Sequence, residues 1–532
     1  DPRPHQREAI GAVETELAQA DRCSLIMACG TGKTLTALRL TEETVGDGGT
    51  ILFLAPSISL VSQSMRDWVN QTRTRINVYV VCSDGKASKV SDEAYGRLSD
   101  IPFPATTNPL TVAQRFKVRD DALNVVFSTY QSIQVIHDAQ QLGLTDFDLT
   151  ICDEAHRTTG VMDGETAFQK VHDPDFIRSK KRLYMTATPR IFSENAKNKA
   201  DAGAIEIASM DDESLYGKVA YRLGFGQAVD RKLLTDYKIV VMQVSEDMMG
   251  RRMQEQYGRA DSEIPLDDAA KFVGCWKALF DRRHAKNVDD LLLDGADRRM
   301  TVGPDDTKRV LHHAIAFAPS IKASKALTAK FRAVIDDYTS NLEQTDENQE
   351  LLALGKEVTV GIDHVDGTMD AQTRKTKLDW LAAETGPEEC HILSNARCLA
   401  EGVDVPSLDA IIYLSSRKSK VDIIQSVGRV MRRAPGKEYG YIIIPVVVPL
   451  GADPDTVISS GAFKPVWEVV TALRSHDERL DAIINAAGLG DTDALSCIIE
   501  VDVLDESRLR KPKNKKTAGN GCGEYPGDPD EP

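Results

Sequence analysis

The apolar run Leu25-Ile26-Met27-Ala28 breaks into Cys29-Gly30-Thr31-Gly32-Lys33-Thr34. The pattern predicts a short buried strand over 24–27, a glycine turn, and a helix over 34–40. A strand that turns on glycines and restarts as a helix admits few architectures, chiefly an open α/β sheet with ligands at the carboxyl ends of its strands. Gly30 and Gly32 can take backbone angles closed to other residues, so successive N–H groups can converge on an anion at the helix N-terminus. In that geometry Lys33 reaches the β- and γ-phosphates of a nucleotide and the Thr34 hydroxyl ligands magnesium. The full phosphate-loop pattern has a glycine where this chain has Met27, and an ordinary glycine turn is the competing reading.

Other strand-like runs end in the same way. Ile51-Leu52-Phe53-Leu54-Ala55 stops at Pro56-Ser57 and Val125-Val126-Phe127 at Ser128-Thr129-Tyr130-Gln131, so Ser57, Ser59, Gln63, Thr129 and Gln131 are placed to touch a phosphate backbone. Leu149-Thr150-Ile151-Cys152 closes on Asp153-Glu154-Ala155-His156. Magnesium needs a hard oxygen ligand, which Asp153 supplies, and a hydrolytic water needs a positioned carboxylate, which Glu154 supplies. Leu183-Tyr184-Met185 runs into Thr186-Ala187-Thr188, whose hydroxyls are expected to bond the Asp-Glu-Ala-His segment. Before all of these, Gln6 heads a helix-like run over 8–19; its amide can both donate to and accept from adenine, or simply open a solvated helix.

A chain of 532 residues, 42% hydrophobic, holds two to four domains. The net charge of -16 excludes a surface that is basic throughout but leaves room for a basic groove. Nine cysteines without a Cys-x-x-Cys pair suggest neither a disulfide framework nor a zinc site, which fits a reducing cytoplasm. No apolar run is long enough for a membrane span, so no membrane partner is expected. The start at Asp1 reads as a piece of something longer.

The second half repeats the sheet pattern. Strands are expected over 238–244, 313–318, 360–365, 391–394 and 411–414, with a polar, helix-prone insertion at about 246–309 and an exposed loop over 339–356. Arg282, Arg283, His284 and Lys286 in the insertion could meet a phosphate backbone, although a solvated helix face suits them better. Gln425, Arg429 and Arg432 recur at i, i+4 and i+7, so they are expected on one helix face, where arginines can stabilise charge at another domain's phosphate site. The basic run over 508–516 reads as a solvated linker.

In order, Gly-Thr-Gly-Lys-Thr, Ala-Pro-Ser, Ser-Thr-Tyr-Gln, Asp-Glu-Ala-His and Thr-Ala-Thr resemble motifs I, Ia, Ib, II and III of superfamily 2 helicases and translocases. The segments 315–318, 395–406 and 425–432 resemble motifs IV, V and VI, and the Gln6 segment resembles the adenine-recognising Q motif. The resemblance implies ATP and Mg2+, with Gly402 and Asp404 coupling the ribose and nucleic-acid sides, Gln425 in the site, and Arg429 and Arg432 as arginine fingers. The stretches Leu-Asp-Asp-Ala-Ala-Lys-Phe-Val-Gly-Cys-Trp and 225–234 look like the motor region of type ISP restriction-modification proteins.

The expected architecture is α/β: two RecA-like doubly wound parallel-sheet lobes over 1–222 and 223–450, a helical extension over 451–507, and a tail over 508–532. The expected function is an ATP-driven translocase on duplex DNA, with nuclease and methyltransferase parts outside this chain. A strand-separating helicase on DNA or RNA, and a nucleotide-switched DNA clamp, are the alternatives.

Overall fold

The computed structural model describes residues 1–82, 105–162, 166–192, 206–245, 249–259, 264–279, 311–340, 358–396, 399, 405, 407–417, 419–448, 461–488 and 498–503. The first lobe opens with helix α1 (Pro4–Gln19), strand β1 (Arg22–Met27), helix α2 (Lys33–Thr44), β2 (Thr50–Ala55) and helix α3 (Ile58–Gln71). It continues through β3 (Ile76–Val81), β4 (Ala105–Thr106), β5 (Leu123–Thr129), β6 (Phe147–Cys152), β7 (Gly160–Val161), β8 (Ser179–Thr186), β9 (Ile207–Ala208) and β10 (Lys218–Leu223). Eight of these form one sheet in the order β10-β1-β8-β6-β2-β5-β3-β4, every pair parallel. Strands β2 and β5 are buried at every residue because helices cover both sheet faces, which is why their sequences are almost continuous apolar runs.

The second lobe comprises β11 (Asp236–Ser245), β12 (His313–Phe317), β13 (Thr359–Val365), β14 (Glu389–Asn395), β15 (Ala410–Tyr413), β16 (Tyr439–Val448) and β17 (Ile499–Val503). These are also all parallel, ordered β13-β14-β12-β15-β16-β11-β17. The parallel α/β lobes match the expected class. One apolar cluster runs from Leu25 and Phe53 in the first lobe, through Leu223, Phe225 and Leu234, to Ile239 and Ile424 in the second.

The helices Gly250–Tyr257 and Leu266–Ala278, within the expected insertion, lie on a face of the second sheet and share its core. A Cβ at Gly274 would come within 2.8 Å of Val244 Cγ2, so helix and sheet are in direct contact. Arg282, Arg283, His284 and Lys286 lie outside the described residues. The stretch expected as a helical extension does form helices Lys464–Arg474 and Glu478–Gly488, but β17 then pairs with β11 from Ile239↔Ile499 to Gln243↔Val503. Its Ile-Glu-Val-Asp-Val alternation is an edge-strand pattern, too short to stand out beside the helical stretch before it.

Candidate active site

Strand β1 ends at Met27, and Gly30 (φ +83°) and Gly32 (φ +90°) carry the turn into α2 through left-handed conformations that favour glycine. The Lys33 ammonium folds back to donate to the Met27 carbonyl at 3.2 Å. Burial, the strongest influence on it, would lower its pKa, but Cys29, Glu154 and Asp153 together leave the ammonium more basic than usual. Helix α1 braces the loop: the His5 ring nitrogen Nε2 lies 2.9 Å from the Thr31 carbonyl, and Gln6 Nε2 donates to the Gly32 carbonyl at 3.2 Å. Gln6 Oε1 accepts from Arg3 N–H at 2.8 Å, so the amide has one fixed orientation in the cavity wall.

Strand β6 delivers Asp153 and Glu154 to the same place. Glu154 sits at φ 50°, one of only two non-glycine residues with positive φ among the described residues. Such strain persists where the surroundings over-determine a conformation, as they do in catalytic sites. Tyr130 donates its hydroxyl to the Asp153 carbonyl at 2.9 Å, and Asp153 Oδ1 accepts from Glu154 N–H at 3.0 Å. Burial would raise the Glu154 pKa, yet His156, 3.3 Å away, and the Lys33 ammonium prevail and keep the carboxyl ionised well below its ordinary range. The expected link from the Thr-Ala-Thr segment is present: His156 Nδ1 lies 3.0 Å from Thr186 Oγ1 and 3.2 Å from Thr188 Oγ1.

The second lobe closes the site through helix Lys420–Val430. Gly428 meets the phosphate loop so tightly that a Cβ there would lie 2.4 Å from Cys29 Cβ. Gln425, Arg429 and Arg432 join Lys33, Thr34, Asp153 and Glu154 around one cavity of about 550 Å3. The three do not share a helix face as expected: the helix ends at Val430, and Arg432 lies in the turn beyond it. That turn is fixed from elsewhere, by Thr235 N–H donating to the Met431 carbonyl at 2.7 Å and Lys437 Nζ donating to the Arg432 carbonyl at 3.0 Å. Periodicity breaks where capping begins, and neither Thr235 nor Lys437 carried a motif signal. Arg429 Nη1 donates to the Leu399 carbonyl at 2.5 Å. Gly402 and Asp404 lie outside the described residues.

The remaining sequence-derived residues are dispersed. Gln63 faces the nucleotide-sized cavity, together with Asp67, which no motif marked and whose carboxyl burial raises in pKa. Ser57 caps α3, its Oγ accepting from Leu60 N–H at 3.3 Å. Thr129 is buried and donates its hydroxyl to Ser132 Oγ at 3.2 Å, and Gln131 Nε2 donates to the Pro56 carbonyl at 2.9 Å. In the second lobe Ser324 Oγ lies 2.7 Å from His364 Nδ1, and His364 Nε2 lies 3.0 Å from Asp366 Oδ2, the spacing of a hydrolytic triad. Ser324, on the helix Ile321–Ser340, is wholly buried and already bonded to Ser394 Oγ at 2.6 Å, so the chain of bonds ties that helix to the strand ends and offers no nucleophile.

A glycine-lined anion cradle, a lysine, two carboxylates and two arginines around one cavity between parallel-sheet lobes make a superfamily 2 helicase-like arrangement. Family models agree: "Type III restriction enzyme, res subunit" matches residues 1–191 and "Helicase conserved C-terminal domain" matches 320–434. The chain thus has the two domains of a helicase-family ATPase, related to type ISP restriction enzymes and viral helicases. It is similar to the ATP-dependent type ISP restriction-modification enzyme LlaBIII solved bound to DNA, with 37% identity, a TM-score of 0.77, and coverage of 94% of this chain and 31% of that one. A nuclease-deletion mutant of the type ISP enzyme LlaGI, solved with a DNA substrate mimic, gives 32% identity and a TM-score of 0.61 over 94% of this chain and 30% of that one. "Probable helicase A859L" of African swine fever virus (isolate Pig/Kenya/KEN-50/1950) is 25% identical over 84% of this chain and 41% of that protein. The chain therefore spans about a third of the solved relatives and two-fifths of the viral one.

Proposed function

We propose that this chain is an ATP-driven motor that travels along duplex DNA as the motor part of a restriction-modification enzyme. One observation carries the reading: Lys33, Asp153 and Glu154 of one lobe and Gln425, Arg429 and Arg432 of the other line a single cavity. The residues fit a magnesium nucleotide. Positive-φ Gly30 and Gly32 leave the loop open to an anion, and Gln425 Oε1 is buried there without a hydrogen-bond partner among the described residues.

In this reading Gly30, Thr31, Gly32 and Lys33 hold the phosphates and Thr34 and Asp153 hold Mg2+, which neutralises charge on them when bound. Glu154, kept ionised, orients the attacking water. Arg429 and Arg432 stabilise charge in the transition state, and Gln6 reads the adenine edge while its contact to Gly32 reports occupancy to the loop. Gly402, Asp404 and Gln425 complete the nucleotide side. Ser57 and Gln131 are assigned to the nucleic-acid backbone, whereas Gln63 lines the nucleotide cavity and Thr129 is buried. Support for DNA comes from the two type ISP enzymes, one solved bound to DNA and the other with a DNA substrate mimic.

The test is ATP hydrolysis with and without duplex DNA, paired with triplex displacement. Stimulated hydrolysis with displacement is expected, and Lys33→Ala should lose both by about 10³-fold or more. Parental turnover in Lys33→Ala refutes the assignment. Displacement of a forked strand but not of a triplex points to a strand-separating helicase, and DNA retention without displacement points to a clamp.

A further inference from the structure

The turn between the helices Lys464–Arg474 and Glu478–Gly488 touches both sides of the linker that joins the lobes. On the first-lobe side, Phe225 N–H donates to the His476 carbonyl at 3.4 Å, just after β10 ends at Leu223. A Cβ at Gly226 would lie 3.0 Å from Asp477 Oδ1 and 3.2 Å from Arg479 Cγ. On the second-lobe side, Asp477, wholly buried, accepts the Tyr237 hydroxyl at 3.1 Å. Arg479 forks onto Asp236 at 3.0 and 3.1 Å and onto Asp477 Oδ2 at 3.0 Å.

The same turn reaches the nucleotide machinery. The helix before it packs on the Lys420–Val430 helix that carries Arg429. His476 lines a cavity of about 250 Å3 with Ile26 and Ala28, which precede the phosphate loop, and with Ala187 of the Thr-Ala-Thr segment.

We infer that Asp477 and Arg479 are positioning residues that clamp the interlobe linker, so that closure of the cleft and the setting of the C-terminal helices are one event. Gly226 lets the linker helix Phe225–Asp230 approach the clamp closely, because a side chain there would meet Asp477 and Arg479. The Asp477 carboxylate survives without solvent because Arg479 and Tyr237 satisfy it. This rests on the motor reading above, since a clamp matters only if the lobes cycle.

The experiment measures DNA-stimulated ATP turnover and fluorescent ADP binding for the parent, Arg479→Ala, Arg479→Lys and Tyr237→Phe, with melting curves as a folding control. Arg479→Ala should lower stimulated kcat about tenfold while ADP affinity, set mainly by the loop at residues 30–34, changes less than about twofold. Arg479→Lys should recover part of the loss, and Tyr237→Phe should lower kcat by a smaller factor. Parental kcat in Arg479→Ala overturns the clamp, as does loss of ADP affinity in step with kcat. If Arg479→Ala does not fold, parental kcat in Tyr237→Phe overturns it instead. A parent inert toward ATP sinks the motor reading and the clamp with it; an active parent with unchanged variants sinks the clamp alone.

Discussion

The two lobes share an architecture and put it to different uses. In the first, the strand tips of β1 and β6 present Lys33, Asp153 and Glu154 to a cavity, and Glu154 holds a strained conformation there. In the second, His364 and Asp366 at the tip of β13 and Ser394 on β14 are consumed by each other and by Ser324 of the helix Ile321–Ser340. Into the nucleotide cavity the second lobe sends the helix Lys420–Val430 and the turn after it. A parallel sheet therefore offers positions and does not dictate chemistry. In the proposed cycle one lobe grips the nucleotide and its partner arrives.

That contrast can be broken at several depths. Arg432→Ala should remove the arriving charge without disturbing the grip: kcat falls about 10³-fold while ATP affinity stays near parental. Equal losses in both, by turnover and nucleotide titration, would erase the division of labour. A smaller effect concerns His172 in the first lobe, which is buried against the Tyr184 hydroxyl at 3.0 Å. Burial lowers its pKa from 6.5 to about 4, so over that interval the unfolded chain takes up a proton that the folded lobe refuses. Stability should therefore fall as pH drops from 6.5 toward 4, by about 3 kcal/mol in all. A melting series that is flat through this range contradicts it.

Gly428→Ala should cost about tenfold in kcat, because its methyl would enter the space of Cys29 and hold the lobes apart. Unchanged turnover would mean that the close approach is irrelevant to chemistry. Ser324→Ala, smallest of all, should cost about 1 kcal/mol of stability by chemical denaturation and leave ATP turnover parental. A large drop in turnover would show that the second lobe's strand tips take part after all.

Much of this was legible because chemistry sits where apolar runs stop. The strands leading to Gly30, Ser57, Asp153 and Thr186 announce themselves by composition, and each stops within a few residues of the polar group it delivers. What sequence concealed depends on distant partners. Arg432 leaves the helix because Thr235 and Lys437 hold the backbone around it, and no local period encodes that. Gln63, assigned to a nucleic-acid track from its place after a strand tip, points into the cavity because the first turns of α3 pass beside the phosphate loop. Strand β17 joins the second sheet only through β11, far earlier in the chain.

Strand β1 has its own consequence. Ser24 is flanked by Tyr184 on β8 and Val219 on β10, both made long after the loop that β1 carries. During synthesis the phosphate cradle emerges early yet lacks both neighbours, and pairing so remote in sequence is slow to form. Nucleotide capture by a nascent chain should therefore begin only once residues 218–223 have left the ribosome, which makes ligand binding a checkpoint on the finished first half.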